Sequence, residues 1–438
     1  MKKVWMSMLA ILLVAVTAVT FVACSKEEED KGGASKVNPK DPKKDVSVYN
    51  SGSGYETIND PLTWEAIDAF PIAKDGMTIE EGRKLVVDFF RFAKTALWMP
   101  SDTYTYMIKS SSTKEETLEG FVPYGGLPYI SVSSGNIYRL MDYMDPETHV
   151  VDMATAGLKK TLFGNQCSFG SYVGAGRVIN SARYSWTKNM TLPNGFLKVG
   201  DYKMDETVET YNDGVYNTVT ILEENGMDAM FESYAGLKHG DVIVYFTTAG
   251  HVVMISGDAV VVRGADGKID PKQSYVTVID QTPTHGQDKN EAGDNFNYEK
   301  NVDAKWDFMK LWNGKYVPFT FKEWTGEDPI ETSWTKYSYE GETITLAQIF
   351  TSTVTSNYGI YDIYAKIYNA NGVEVAKLAV RAGETSLKEL KFIPTGYNLD
   401  TWGDLDSIDP SKYEYTVKIT ANISTGERPV LWEGKLAK

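Results

Sequence analysis

Cysteine is nearly absent from this chain. Its 438 residues hold two, Cys24 and Cys167. If Cys24 carries lipid, Cys167 has no partner within the chain, so a structural disulfide is excluded even in an oxidising compartment. Histidine is scarce too, with four residues and no paired ligand spacing, which argues against a zinc site. No glycine-rich loop ends in Lys-Ser/Thr; Gly170, Gly174 and Gly176 follow no strand, so a phosphate cradle is missing and no cofactor is expected. Positive charge is in deficit: 44 Lys and Arg face 59 Asp and Glu, for a net charge of −15. Loss of Lys2 and Lys3 with a leader would make it −17. Long-range repulsion then opposes approach to DNA, RNA or acidic membranes, so nucleic acid is not an expected partner.

Long apolar runs are missing as well, with one exception. Residues 4–23 are apolar or small, follow Lys2 and Lys3, and end Thr20-Phe21-Val22-Ala23 before Cys24. A basic start and a small residue at the end read as a cleaved export signal rather than as fold. Ala23-Cys24 resembles a bacterial lipoprotein processing site, which implies cleavage before Cys24 and lipid on that cysteine. Ser25-Lys26-Glu27-Glu28-Glu29-Asp30 is similar to the surface-export tag of Bacteroidetes lipoproteins. That resemblance implies the cell envelope, with a lipid anchor in the outer membrane and display at the cell surface. The plainer alternatives are a transmembrane anchor and a solvated acidic tether.

Four regions follow from composition: a signal peptide at 1–23, a flexible tether at 24–55, a main body at 56–330 and a strand-rich part at 331–438. The tether is rich in Lys, Asp, Glu, Gly and Ser. Hydrophobic residues make up 42% of the chain, enough for a sizeable core. In the body, Thr78-Ile79-Glu80-Glu81 has the capping-box pattern. Leu85, Val86, Phe89, Phe90, Ala93, Ala96 and Leu97 then recur at helical spacing, with Pro100 as the expected stop.

Cys167 sits in Gly164-Asn165-Gln166-Cys167-Ser168-Phe169-Gly170, at the expected start of a helix running to Ala182. Free amides and the helix dipole at that position favour a thiolate. Three glycines should cost such a helix about 1 kcal/mol each relative to alanine, so something must pack closely against it. His251 opens a strand 84 residues later. Strands are expected at 242–246, 251–256, 259–263 and 274–280, with turns at Gly240-Asp241, Gly257-Asp258 and Gly264–Gly267. A thiol at a helix start and a histidine opening a later strand is a common layout for a nucleophile and its base. The plain alternative is a small buried hydrophobe. Asp280, at the end of the strand after His251, is the candidate third member, able to orient the imidazole. Gln281 is the other candidate, on the opposite strand face. His149, His239 and His285 read as surface or turn residues, with His285 near the cleft.

Gly236-Leu237-Lys238-His239-Gly240-Asp241 with its following strand, then Gly250-His251-Val252-Val253, resembles the NlpC-type branch of papain-like cysteine peptidases. Pro123-Tyr124-Gly125-Gly126 is similar to the turn before that family's nucleophile. The resemblance implies an α+β papain-like domain over 56–330, with Cys167 as nucleophile and His251 as general base. Tyr124, Gln166 and Gln281 become candidates for the oxyanion and substrate site. The family's Asp-Cys-Ser-Gly is here Gln166-Cys167-Ser168-Phe169, and insertions fall near 130–160 and 185–235. Ile279-Asp280-Gln281-Thr282 also resembles transglutaminase-like folds, whose triad is Cys, His and Asp.

Trp306, Trp312, Trp324 and Tyr316 form an aromatic cluster in sequence, suited either to a sugar platform or to packing. Beyond 331, alternating strands near 361–368, 373–381, 413–421 and 430–436 suggest an all-β immunoglobulin-like sandwich. The expected function is a surface lipoprotein cysteine hydrolase acting on peptide or amide bonds, with peptidoglycan-fragment peptides as the implied substrate. The alternatives are a non-catalytic binding or scaffold lipoprotein in a papain-like shell, and a transglutaminase-like acyltransferase.

Overall fold

The computed structural model describes residues 61–107, 115–130, 135–156, 164–182, 190–191, 196–205, 210–211, 215–282, 301–382, 387–392, 399–403 and 405–438. The leader, Cys24, the tether and His285 lie outside the described residues. The described chain is α+β, with its longer helices before residue 236 and its two largest sheets built mainly from antiparallel strands.

Thr63 caps the short helix α1, Trp64–Asp68. The expected capping box starts α2, Ile79–Thr95. Thr78 Oγ1 accepts the Glu81 amide at 3.2 Å, and Glu81 Oε2 accepts the Thr78 amide at 2.8 Å. The Leu85, Val86, Phe89, Phe90, Ala93 stripe is buried. The helix stops before Leu97, however, and Leu97–Pro100 departs as strand β1. Helical periodicity did not reveal that this segment has strand partners. β1 pairs antiparallel with β2, Tyr124–Gly125, and parallel with β3, Val150–Val151. The Trp98 indole also donates to the Gly126 carbonyl at 2.7 Å. Ile137–Met141 forms a short helix, α3.

Cys167–Ala175 forms α4. Its glycines explain its position. A Cβ added at Gly174 would lie 2.8 Å from Phe90 Cβ and 3.1 Å from the Val86 carbonyl oxygen on α2. Close packing of α4 on α2 therefore requires glycine there, and the burial it permits offsets the helical cost. α4 ends at Ala175, seven residues short of the expected Ala182. Arg177 turns inward at that point. Its guanidinium stacks 4.1 Å over Phe89 and donates to the Tyr138 hydroxyl at 3.1 Å.

Thr218–Ala235 forms α5. The central sheet uses β4 (Leu197–Lys198), β5 (Val242–Phe246), β6 (Gly250–Val260), β7 (Tyr275–Ile279), β8 (Val302–Asp307) and β9 (Val317–Thr320). Their order is β8-β7-β6-β5-β9-β4. Gly257-Asp258 is not the expected turn: β6 runs straight through it. The register against β7 slips between Ile255 and Gly257 and again before Val260, so the glycine marks a bulge. A side chain at 257 would meet Thr277 Oγ1 at 2.5 Å. Phe308–Asn313 forms α6 beyond β8.

The C-terminal sheet contains β10 (Thr343–Ile344), β11 (Thr353–Asn369), β12 (Glu374–Arg381), β13 (Leu399–Gly403), β14 (Tyr415–Ile423) and β15 (Val430–Leu436). They run β10-β15-β14-β11-β12-β13, and two further short strands pair with β11. The expected hairpin turn at 369–372 is present, with Asn369 Oδ1 accepting the amides of Asn371 and Val373. This sheet meets the body through buried charge. Arg139 on α3 donates to Asp362 on β11 at 2.8 Å and to the Tyr361 and Ala382 carbonyls at 3.0 and 2.7 Å. Arg381 on β12 pairs with Asp142 at 2.6 Å.

Candidate active site

Sheet register brings the strand residues of the site together. Met254 lies opposite Ile279, so Asp280 falls diagonally across from His251 on the same face. His251 Nε2 and Asp280 Oδ1 are 2.7 Å apart. Asp280 is 6% exposed, and its own amide donates to Asn301 O at 2.8 Å, which fixes the strand end. Cys167 is the first residue of α4 and is buried. Its thiol is near enough to the His251 imidazole to act on that ring's pKa.

Burial alone would pull the His251 pKa down. The Asp280 charge and hydrogen bond, joined by the hydrogen bond and charge of Cys167, reverse this and raise it well above the ordinary histidine value. The arrangement therefore favours imidazolium. Gln166 is the N-cap of α4 but makes no side-chain cap bond, and its buried Nε2 has no hydrogen-bond partner.

Gln281 does not join this group. Its Nε2 donates to the Leu127 and Asn165 carbonyls at 3.2 and 3.3 Å, and its Oε1 accepts from the ammonium of Lys94. It ties the segment before the nucleophile to α2. Tyr124 is likewise engaged elsewhere. Its hydroxyl accepts the Glu119 amide at 2.9 Å, and its ring packs 6.2 Å from Trp98. The tyrosines that feel Cys167 and Asp280 are Tyr129 and Tyr316. Burial raises both of their pKa values, and the charges of Cys167 and Asp280 raise them further. His239 pairs with Asp258 at 2.6 Å, and His149 sits in a turn at φ 56°. Asp241 of the Gly-Asp turn is a structural residue, salt-bridged to Arg83 at 2.9 Å.

The aromatic cluster divides. Trp312 packs 6.3 Å from Phe231 on α5, and the Trp324 indole donates to Gly240 O at 3.1 Å. Trp306 and Tyr316 instead line an open cleft of about 660 Å³ beside the histidine, with Tyr316 6.4 Å from the His251 ring. Lys310 Nζ lies 3.9 Å over Trp306. Partial burial lowers the Lys310 pKa, against the opposing charges of Asp280 and Asp307.

Lys94 was not legible as a site residue, although it falls four positions after Phe90 on the apolar stripe of α2. That placement was the available signal. Burial lowers its pKa to about 8, against the pull of Asp280. The unfolded chain therefore binds more protons between pH 8 and about 10.5, and stability from this group rises with pH across that window. Urea unfolding of wild type and Lys94→Met should show the difference shifting toward wild type by about 3 kcal/mol over that range. Parallel curves would mean that the ammonium is solvated.

No protein-family model matches the chain, and no curated protein sequence matches it.

Proposed function

We propose that Cys167, His251 and Asp280 form a nucleophile, base and orienting-carboxylate triad, and that the chain is a surface lipoprotein cysteine hydrolase of peptide or amide bonds. In this reading the body is papain-like, of the NlpC type. The C-terminal strands, folded about the long β11, form an immunoglobulin-like sandwich. One observation carries the functional reading: His251 Nε2 lies 2.7 Å from Asp280 Oδ1, and Cys167 at the start of α4 is near enough to help raise the pKa of the same ring.

The chemistry follows from that geometry. Cys167 Sγ attacks the carbonyl carbon, forming a C–S bond and an oxyanion. The amides at the start of α4 and the unpartnered Nε2 of Gln166 supply donors for that charge. Imidazolium His251 gives its proton to the leaving amine as the C–N bond breaks. The imidazole then takes a proton from water, whose oxygen attacks the thioester and releases the acid and the thiol. Asp280 holds the ring orientation and stabilises its cation throughout. The Trp306, Tyr316 and Lys310 cleft gives one flank of the substrate an aromatic wall and a cation, which suits peptides bearing a carboxylate.

Incubation with a peptidoglycan stem-peptide digest, followed by mass spectrometry, tests this. Cleavage by wild type and loss of at least 1,000-fold in rate for Cys167→Ala is the expected result, in line with removal of a covalent nucleophile. A digest left intact by wild type would turn the reading toward a non-catalytic shell. An aspartate as third member also fits transglutaminase-like acyl transfer. Added primary amine would then appear covalently in the products.

A further inference from the structure

Lys94 belongs to the buried face of α2 and is 8% exposed. Its acceptor is a neutral amide, Gln281 Oε1, and no carboxylate among the described residues forms an ion pair with it. Burying a cation without a carboxylate is costly, and methionine of similar length would avoid that cost. A core position that departs from the cheaper choice marks a functional or strained site.

Gln281, 2% exposed, receives that cation. Only one orientation of its amide satisfies its three partners. Lys94 must donate, so Oε1 faces it. The Leu127 and Asn165 carbonyls must accept, so Nε2 faces them, at 3.2 and 3.3 Å. Asn165 stands two residues before Cys167 and is paired with the 128–130 segment. Its amide donates to Pro128 O at 3.0 Å, and its carbonyl accepts the Ile130 amide at 3.0 Å. Gln281 thus bonds one carbonyl on each side of that pairing. Its stem also meets α4. A Cβ added at Gly170 would lie 3.1 Å from Gln281 Cβ and 3.2 Å from its Cγ. Gly170 is one turn after Cys167, so the first turn of α4 rests on this side chain.

Asp280 and Gln281 act from one place on both halves of the site. Alternation sends their side chains to opposite faces of the β7 end. On one face Asp280 Oδ1 lies 2.7 Å from His251 Nε2. On the other, Gln281 holds Asn165 and packs on Gly170, on either side of Cys167 in sequence. The two residues are bonded neighbours, so the strand end fixes the helix of the nucleophile relative to the base. We propose, on the basis of the triad reading, that Gln281, held by Lys94, is a positioning residue that sets Cys167 against His251. An oxyanion contact is a different role, and both Nε2 hydrogens are already engaged by backbone carbonyls.

Lys94→Met combined with Gln281→Met removes both polar partners and keeps their volume, so the double variant should unfold in urea close to wild type. Its Cys167 should react with iodoacetamide about tenfold more slowly at pH 6. The rate profile from pH 5 to 9 should move toward that of a free thiol, whose pKa is about 8.5. A core pair without a positioning role would change unfolding and leave that profile in place. Gln281→Glu is the second variant; it keeps an acceptor for Lys94 and loses both donors to Leu127 and Asn165. It should lose reactivity to a similar extent, even where the double variant does not fold. In either variant proton NMR should show His251 still titrating above its ordinary value, because Asp280 is untouched. A His251 titration back at that value would place the effect on the base and overturn the assignment. Low-pH labelling in wild type with unchanged profiles in the variants overturns the clamp and leaves the triad standing. A wild type that itself labels as a free thiol overturns both.

Discussion

Alanine in place of His251 is expected to slow alkylation of Cys167 by iodoacetamide about 100-fold at pH 6, on the order of the thiolate fraction an ordinary thiol loses between its pKa near 8.5 and that pH. The imidazole pKa is raised well above its usual value by Asp280 and the nearby Cys167, so at pH 6 it supplies a cation near the sulfur. Removing the ring removes that cation and leaves the end of α4 as the remaining electrostatic help. Asp280→Asn should fall between, about tenfold below wild type. It keeps the 2.7 Å contact geometry but removes the charge that most raises the imidazole, while burial still pulls the ring down. Labelling rates measured from pH 5 to 9 in the three proteins test this order. Equal rates at pH 6 would mean that Cys167 is a buried structural thiol, and the hydrolase reading would fall with it.

The same ring leaves a stability signature. Folding raises the pKa of His251, so its contribution is fully present below the unfolded value near 6.5 and is lost as pH rises through the raised folded value. The stability gap between wild type and His251→Ala should therefore narrow toward alkaline pH.

Asp362→Ala is expected to cost about 3–5 kcal/mol, the range found when one member of a buried ion pair is removed. Asp362 is fully buried, and Arg139, 1% exposed, donates to it at 2.8 Å. Arg381 lies 3.6 Å from the same oxygen, but it retains Asp142. Alanine would remove the buried carboxylate facing the Arg139 guanidinium in the contact between α3 and the C-terminal sheet, leaving the neutral Tyr361 and Ala382 carbonyls to hold a buried cation. A typical domain is stable by only 5–15 kcal/mol, so the loss is large. The double variant Arg139→Met with Asp362→Leu should recover most of it, because both charges are then gone and volume is kept. Urea unfolding of the four proteins gives the coupling energy. A cost below about 1 kcal/mol for Asp362→Ala would mean that the pair is hydrated.

The sequence by itself determined the features whose signal is local. Thr78 and Glu81 form a capping box wherever a helix follows them, so the start of α2 could be read directly. Val242–Phe246 and Val430–Leu436 alternate or run apolar between turn residues, and both lie where the pattern placed them. The scarcity of cysteine and histidine made Cys167 and His251 candidates, and its place at the end of the strand after His251 made Asp280 one. What only the tertiary structure decided depends on partners distant in sequence. Leu97 continues a helical stripe, yet it joins a strand because β2 and β3 offer it hydrogen bonds. Gly257 looks like a turn residue, yet it is a bulge because Thr277 crowds the opposite strand. Asp280 and Gln281 are adjacent and chemically similar, and alternation shows only that they point apart. That Asp280 meets His251 while Gln281 meets Lys94 was fixed by the register of β7 on β6 and by the depth at which α2 packs.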